Sequence, residues 1–582
     1  MQYTSSDLFA EAIAHAHAAH DLERMAQLLE VYGVELMSRG ETRLVMNWVH
    51  ALPRDIVFSR LRIFLFECWW YWYLGHTAVV LEMLNRYALQ HGLPGPQVED
   101  VAHLEQAICV HVEKQYPNPK WDVGQRANRI AEALALYGIV STQRPNGAAF
   151  SLAACQRAVE YVAGLTFRSR ILHHLGTVHI LRNELTEAAA VLEEALSSTL
   201  ADDSMTWLTS TSFRLMMLYE LLGQLHHATR IAQEIQQQTK GKAFLAQGTS
   251  ALFLGLSEYE RNNLDFAETF FQQVIALCKE ADPQQTIDPF MFFLPGQLQL
   301  ARISFNRGEQ AQTRHYLQEI ASYLAQSWLG NEVFPIVKGE YALMLFALGD
   351  ELAVRQWLEE YPPGEQTHQL LLSQFISLKH NHHLVYTKAL LACQRWQKAE
   401  LVIQDQQTLA EQQGKIGSLI QWLALQAVLC QRQGQTKAAL TVLTRSLHLA
   451  EPRGYMRVFL DEGAILQDLL RRLLEQPQSL AASTQSPPTP AYLRRLLLLS
   501  EEEQRLQVPS SSLAEPALIE PLSGRELEVL SYLGAGCSNQ EIAAKLEIAP
   551  STVKSHLKAI YSKLGVESRT QALIQARKRG LA

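Results

Sequence analysis

One recurrence constrains this chain more than any other feature: a small turn residue that ends a helix, a leucine two positions on, and an alanine five positions on. It occurs as "RNELTEAAAVLEEAL" (Asn183, Leu185, Ala188), "LGQLHHATRIAQEI" (Gly223, Leu225, Ala228) and "RNNLDFAETFFQQVIAL" (Asn262, Leu264, Ala267). Degenerate copies follow at Gly308, Gly349, Gln394 (with Trp396 and Ala399) and Gly434 (with Ala439), giving spacings of 40, 39, 46, 41, 45 and 40 residues. Gly and Asn tolerate the left-handed conformation that ends a helix, and Ala lets the next helix approach closely. Each unit therefore reads as a helical hairpin. A single hairpin cannot bury its own apolar faces, so neighbours are expected to stack into a superhelix with an extended concave surface.

These units resemble tetratricopeptide repeats with a period longer than the usual value of about 34 residues, which implies longer helices. The first hundred residues also read as helical, with turn residues at Gly40 and Gly75, but the repeat register does not extend between Gly75 and Asn183. After Glu475 the composition changes: "QPQSLAASTQSPPTP" and "VPSSSLAEPALIEP" are rich in Pro, Ser and Ala, with one short helix, "YLRRLLLLSEEEQRL", between them. This stretch reads as a linker that lets the two ends move independently.

Length and composition fit such a chain. At 582 residues, 48% of them hydrophobic, there is material for about three to five domains. The net charge of −8 is uneven: residues 521–582 carry nine Lys/Arg against five Glu, or +4, which leaves −12 for the rest. A basic nucleic-acid module on an acidic body has this asymmetry. The seven Cys are scattered, without a C-x-x-C pair, and read as free thiols of a reducing compartment. The start lacks the basic end and apolar core of a signal peptide, and the most apolar run, "LRIFLFECWWYWYLG", is short and contains Glu67. A cytoplasmic protein with no membrane partner is expected.

The last sixty residues carry their own punctuation. Ser523-Gly524-Arg525-Glu526, Ser538-Asn539-Gln540-Glu541 and Ser568-Arg569-Thr570-Gln571 are capping boxes, in which hydroxyl and carboxylate satisfy backbone donors at a helix start. Between the last two lies "PSTVKSHLKAIYSKLG", entered through Pro550 and closed by Gly565. Val553, Leu557, Ile560 and Leu564 fall on one face and are expected to pack on Leu527, Leu530, Ile542 and Leu546. Ser551, Lys554, Ser555, Lys558 and Ser562 share the other side. Two lysines one turn apart on an exposed face repel each other. A polyanion removes that penalty, and lysine can donate to guanine edges or to phosphate oxygens.

The segment "LSGRELEVLSYLGAGCSNQEIAAKLEIAPSTVKSHLKAIYSKLGVESRTQAL" resembles the LuxR-type helix-turn-helix domain of bacterial transcription regulators across all four helices. The resemblance implies that the third helix enters the major groove of double-stranded promoter DNA. The positions it implies as DNA contacts are Thr552, Lys554, Ser555 and Lys558, with Ser551, Asn539 and Arg569 beside them. It also implies a dimer contact on the fourth helix, Arg569 to Arg579. Two further stretches, "EAIAHAHAAHDLERMAQLLEVYGVELMSRGETRLVMNWVHALP" and "EPRGYMRVFLDEGAILQDLL", resemble the large MalT-like regulators. That family carries a P-loop ATPase and a winged-helix segment ahead of the first stretch. No G-x-x-x-x-G-K-[ST] occurs here, and "TKGKAFL" around Lys242 lacks the phosphate-cradling loop, so ATP binding is not carried over and no cofactor is expected. A naturally shortened regulator, a split protein and a misplaced start all remain open.

Other clusters have plainer readings. "HNHH" (His380 to His383), with His173, His174 and His179, invites a metal-site reading, but the run is placed in a turn and no Cys or acidic cluster completes a coordination set. The rings of "CWWYWYLG" are expected to wedge helices together. No G-x-S-x-G or H-E-x-x-H is present, Asp461 and Glu462 read as packing and capping, and no catalytic residue is expected. The expected architecture is all-α: an N-terminal helical region (1–100), a TPR-like solenoid of helical hairpins that receives a small-molecule inducer or protein partner (101–475), a linker (476–518) and a four-helix LuxR-type domain (519–582). The expected function is a DNA-binding regulator, not an enzyme, that dimerises or assembles further on DNA. The rival reading is a protein-interaction scaffold whose terminal domain serves dimerisation.

Overall fold

A computed structural model describes residues 5–38, 41–73, 76–117, 123–142, 144, 147–162, 164–202, 205–240, 244–280, 290–326, 335–361, 376–475, 488–507, 523–534, 537–546, 548–564, 566 and 572. Gly40, Gly75, Gly565 and the third capping box lie outside these residues. The described residues are helical throughout, without a strand, and the chain divides into two compact units, Met1–Glu503 and Gln504–Ala582.

In the first unit the repeat becomes paired helices: Leu165–Leu181 with Leu185–Asp202, Met205–Leu221 with Leu225–Gln238, Phe244–Glu260 with Leu264–Glu280, Phe290–Asn306 with Gln310–Gln326, Pro335–Ala347 with Glu351–Glu360, Ile376–Ala392 with Trp396–Gln412, and Ile416–Arg432 with Thr436–Ala450. All seven turn residues, three of which are not glycine, have positive φ, from 57° at Gln394 to 100° at Gly349. After each of them the next backbone N–H donates to the carbonyl five residues back, at 2.7–2.9 Å, as in Glu184 to His179 and Gln435 to Cys430. That bond satisfies a carbonyl the helix end would otherwise leave open, and it holds the left-handed residue in place. Five residues past each turn, Ala188, Ala228, Ala267, Ala399 and Ala439 are fully buried, and Thr313 and Val354 take the same place in the degenerate copies. The preceding helix makes room in turn: a Cβ on Gly255 would stand 2.5 Å from the Phe271 ring, and one on Gly176 2.6 Å from Leu192.

Where the register fails, the structure places another pair, Val123–Ser141 with Gly147–Tyr161. Its first helix keeps the same close approach, at Gly138 against Cys155 and Ala154, as Gly176 and Gly255 do in the later pairs. Arg144 N–H donates to the Ser141 carbonyl at 3.1 Å in the turn, where no described residue has positive φ, so the turn signal rather than the close packing is what the pattern loses.

The inner side of the array is not left open, as stacked hairpins alone would leave it. The Met205–Leu221 helix touches both Ile376–Ala392 and Ile416–Arg432, so the repeats close on themselves. The short Arg457–Leu460 helix inserts among the repeats: Met456 N–H donates to the Glu260 carbonyl at 2.9 Å and Arg457 Nη1 to Asn262 Oδ1 at 2.9 Å. Arg457 is 1% exposed and pairs with Asp461 and Glu503; Tyr259 donates its hydroxyl to Asp461 at 3.1 Å, and Lys388 pairs with Glu462 at 2.7 Å. Asp461 and Glu462 thus take part in packing. The N-terminal Leu22–Ser38 helix also lies against Met205–Leu221.

Within the stretch expected to be linker, a helix spans Pro490–Gln507. Its Leu493, Leu496 and Leu497 fall on one face and join the core of Leu466, Leu469, Leu470 and Leu473, because helical spacing of apolar residues gives even a Pro/Ser-flanked segment something to bury. Arg471–Glu501 at 3.1 Å and Arg457–Glu503 add charge pairing to that contact.

Candidate nucleic-acid interface

The second unit is built from two local devices and one shared core. Ser523 N–H donates to Glu526 Oε2 at 2.7 Å and Glu526 N–H to Ser523 Oγ at 3.3 Å, which starts the Gly524–Gly534 helix. Ser538 and Glu541 repeat the exchange at 2.7 and 3.4 Å, starting Asn539–Lys545. The Ser538 backbone N–H holds the Glu541 carboxyl below its usual range. Helix Pro550–Leu564 follows across a short turn in which Ile548 N–H donates to the Ala543 carbonyl at 3.0 Å. Val553, Leu557 and Ile560 are buried against Leu530, Leu533 and Ile542, and Leu546 is partly buried beside them. At Val553, Leu557 and Ile560 the apolar face expected of this helix is therefore its core face; the Leu564 side chain lies outside the described residues.

Its other face is exposed at Ser551, Thr552, Lys554, Ser555 and Lys558. Asn539 is half-buried at the first position of its own helix. Ser555 Oγ donates back to the Ser551 carbonyl at 3.2 Å, which leaves its lone pairs as acceptors. Arg569 lies outside the described residues, as does most of the expected fourth helix; Ala572 is helical and buried in this core.

The Lys and Arg residues described between 523 and 564 divide in two. Arg525 pairs with Glu528 at 2.6 Å and donates to the Leu546 carbonyl at 2.6 Å, tying the first helix to the end of the second. Lys563 pairs with Glu526 at 2.9 Å, and Lys545 lies 5.2 Å from the Tyr532 ring centre. Lys554 and Lys558, in contrast, make neither a hydrogen bond nor an ion pair among the described residues. Such a face can meet a phosphate backbone or a base edge without first breaking anything.

Elsewhere, His382 is not in a turn. It is buried inside the Ile376–Ala392 helix, 5.9 Å from the Trp357 ring, because the helix begins upstream of the run. Trp69 and Trp72 wedge the Leu61–Tyr73 helix into its neighbours, with Trp69 stacked on His174 at 4.0 Å. Sequence reasoning missed the buried arginines. Arg457 had a usable signal in its partner Asp461 one turn on; Arg62, Arg129 and Arg170 had none, since their surroundings come from distant helices.

Residues 131–476, more than half of the chain, match the family described as MalT-like TPR region. The chain belongs to that family. Residues 520–576 match the bacterial regulatory proteins, luxR family. The MalT-like chain is 21% identical to the HTH-type transcriptional regulator MalT of Vibrio campbellii, over 97% of this chain and 59% of that protein. With the HTH-type transcriptional regulator MalT of Yersinia enterocolitica it shares 24% identity, over 98% of this chain and 60% of that protein. It thus spans about 60% of the length of the curated relatives it matches. A crystal structure of the APC/C hetero-tetramer Cut9-Hcn1 aligns over 86% of this chain and 96% of that one, at 13% identity and a TM-score of 0.33, too low to support an argument. Among the described residues no helix is long and apolar enough to cross a membrane.

Proposed function

We propose that this chain is a cytoplasmic DNA-binding transcription regulator without enzymatic activity. In this reading residues 519–582 are the DNA-binding domain and 101–475 a solenoid that receives a small-molecule inducer or a protein partner, with 476–518 between them. The observation that carries the reading is the unpaired, exposed face of Pro550–Leu564 at Lys554 and Lys558 in a segment that matches the luxR family.

The helix enters the major groove, where Lys554 and Lys558 donate to bases or phosphates and Thr552, Ser551 and Ser555 offer hydroxyls. In this reading Asn539 and Arg569 contact the DNA backbone. A module this small buries little surface on its own, so affinity comes from two copies on adjacent half-sites.

The test is fluorescence anisotropy of a promoter duplex titrated with the full chain and with a Lys554→Ala/Lys558→Ala variant at several salt concentrations. Tight binding by the full chain is expected. The variant should bind more weakly, with a log–log salt slope smaller by about two, one for each lost phosphate contact. A full chain with no affinity above the non-specific level would instead favour the scaffold reading.

A further inference from the structure

The helix Pro490–Gln507 is held in two different ways along its length. Its earlier turns bury Leu493, Leu496, Leu497 and Ser500. After Ser500 the sequence is "EEEQRLQ", no described residue is buried, and Leu506 is 51% exposed. Two ion pairs remain for that end. Arg471–Glu501 lies at the surface, with side chains 45% and 38% exposed, where such a pair contributes little. Arg457–Glu503 instead joins a 1% exposed guanidinium to a 14% exposed carboxylate. The seating of the helix end therefore depends on Arg457, and the chain leaves the first unit at Glu503.

Arg457 is itself positioned from elsewhere in the array. Its Nη1 donates to Asn262 Oδ1 at 2.9 Å and its Nε to Asp461 at 3.0 Å, and the guanidinium lies 5.1 Å from the centre of the Tyr259 ring. Tyr259 in turn donates to Asp461 at 3.1 Å and accepts from Asn306 Nδ2 at 3.2 Å. Asn262, at φ 63°, is the turn residue between Phe244–Glu260 and Leu264–Glu280. One guanidinium thus joins the turn of a repeat to the end of the helix by which the chain exits. Its two carboxylates are not equivalent. Burial pushes the Glu503 carboxyl above its usual range in spite of Arg457. Burial acts on Asp461 as well, but Arg457, Arg302 and Lys388 together hold it below its range. Glu503 is the partner on which the pairing gains less.

We propose that Arg457 is a clasp that couples the Asn262 turn to the end of the exit helix: with the turn in place the guanidinium seats Glu503, and displacement of the turn draws it away and frees residues 501–507. Asp461 sits one turn from Arg457 on the same short segment and stays with it, so the released state leaves no stranded guanidinium. The clasp carries a change in one repeat to the point where the chain leaves the array, and it does not depend on what the second unit binds.

The experiment is hydrogen–deuterium exchange of the full chain followed by mass spectrometry. The chains compared are the wild type, Asn262→Gly, Tyr259→Phe, Glu503→Gln and Glu501→Gln. Glycine at 262 keeps the left-handed turn and removes the acceptor of Arg457, and Tyr259→Phe keeps the ring and removes the hydroxyl that holds Asp461. Loss of a hydrogen bond to a charged group should speed exchange of residues 501–507 by about tenfold in Asn262→Gly and in Glu503→Gln. Tyr259→Phe should speed it by about threefold, and Glu501→Gln should stay within about twofold of the wild type. Coupling between two sites is reciprocal, so Glu503→Gln should also speed exchange of the Asn262 and Asn263 amides. Unprotected exchange of residues 501–507 in the wild type overturns the proposal, since nothing would then be seated. Fast exchange in Glu503→Gln with wild-type rates in both Asn262→Gly and Tyr259→Phe also overturns it, because the helix end would be held by Arg457 without any link to the turn. An equal response to Glu501→Gln and Glu503→Gln would leave no special role for Arg457. Should Asn262→Gly speed exchange throughout the first unit, Tyr259→Phe decides: a response confined to the turn, residues 455–462 and residues 501–507 supports the clasp, and a uniform one overturns it.

Discussion

Arg457 and Lys558 are both cationic side chains on helices of one chain, and the two units treat them in opposite ways. In the first unit the guanidinium is 1% exposed and answered by Asp461 and Glu503, with Asn262 and the Tyr259 ring at its sides. In the second unit Lys554 and Lys558 are exposed and make no contact with a carboxylate among the described residues. A buried, paired charge fixes one arrangement of many segments, since removing either partner strands the other. An exposed charge fixes nothing internal and remains available to another molecule. The difference separates residues kept for architecture from residues kept for recognition.

The largest effect that would break the comparison is at Arg457. Arg457→Ala should destabilise the first unit by about 2–4 kcal/mol, because a side chain that is 1% exposed is lost together with its pairing to Asp461 and Glu503, which are partly exposed. Urea denaturation followed by circular dichroism measures it, and a midpoint equal to that of the wild type would contradict the architectural role. A pH series sharpens the same point at Glu220 and Glu260. Burial and then the neighbouring Glu260 carboxylate push Glu220 up to about 8, and burial pushes Glu260 up to about 7. Both groups bind protons more tightly folded than unfolded, so stability is fully present below the unfolded carboxylate range and falls as pH rises towards the folded values. Glu220→Gln should therefore match the wild type near pH 4 and be the more stable of the two near pH 8, with the crossover read from Tm against pH.

Smaller effects test packing and capping without altering a cation. Gly255→Val should cost about 1–3 kcal/mol through the clash with Phe271. Ser538→Ala should remove about 1 kcal/mol from the second unit by releasing the N–H of Glu541. The first change is read as an earlier thermal transition, the second as faster amide exchange confined to Asn539–Lys545.

The local grammar of this fold was legible in the sequence. Asn183 and Gly223 announced left-handed turns, Ala188 and Ala228 announced close helix contacts, and Ser538 with Glu541 announced a helix start. The polar face of Pro550–Leu564 was legible too, because one helix decides its own faces through spacing alone. The closing of the array was not. Arg457 meets Asn262 across nearly two hundred residues, and no short-range pattern encodes which turn of a repeat array an inserted segment will touch. Arg62 and Arg170 were hidden for the same reason. The Pro490–Gln507 helix was visible as a helix, but its docking depended on Leu466 and Leu470 presenting a partner face that composition could not announce.

The smallest expected change in stability is also the most discriminating. Lys554→Ala with Lys558→Ala removes two like charges one turn apart from an exposed helix, a pairing that disfavours an isolated helix by about 0.2–0.5 kcal/mol. Alanine is also the better helix former. The variant should therefore unfold within about 0.5 kcal/mol of the wild type, on the stabilised side if at all. Its duplex affinity should nevertheless fall, and its salt slope should decrease by about two. A loss of stability comparable to that of Arg457→Ala would mean that the lysines serve the fold after all. Unchanged stability with unchanged duplex binding would mean that the exposed face recognises something other than DNA.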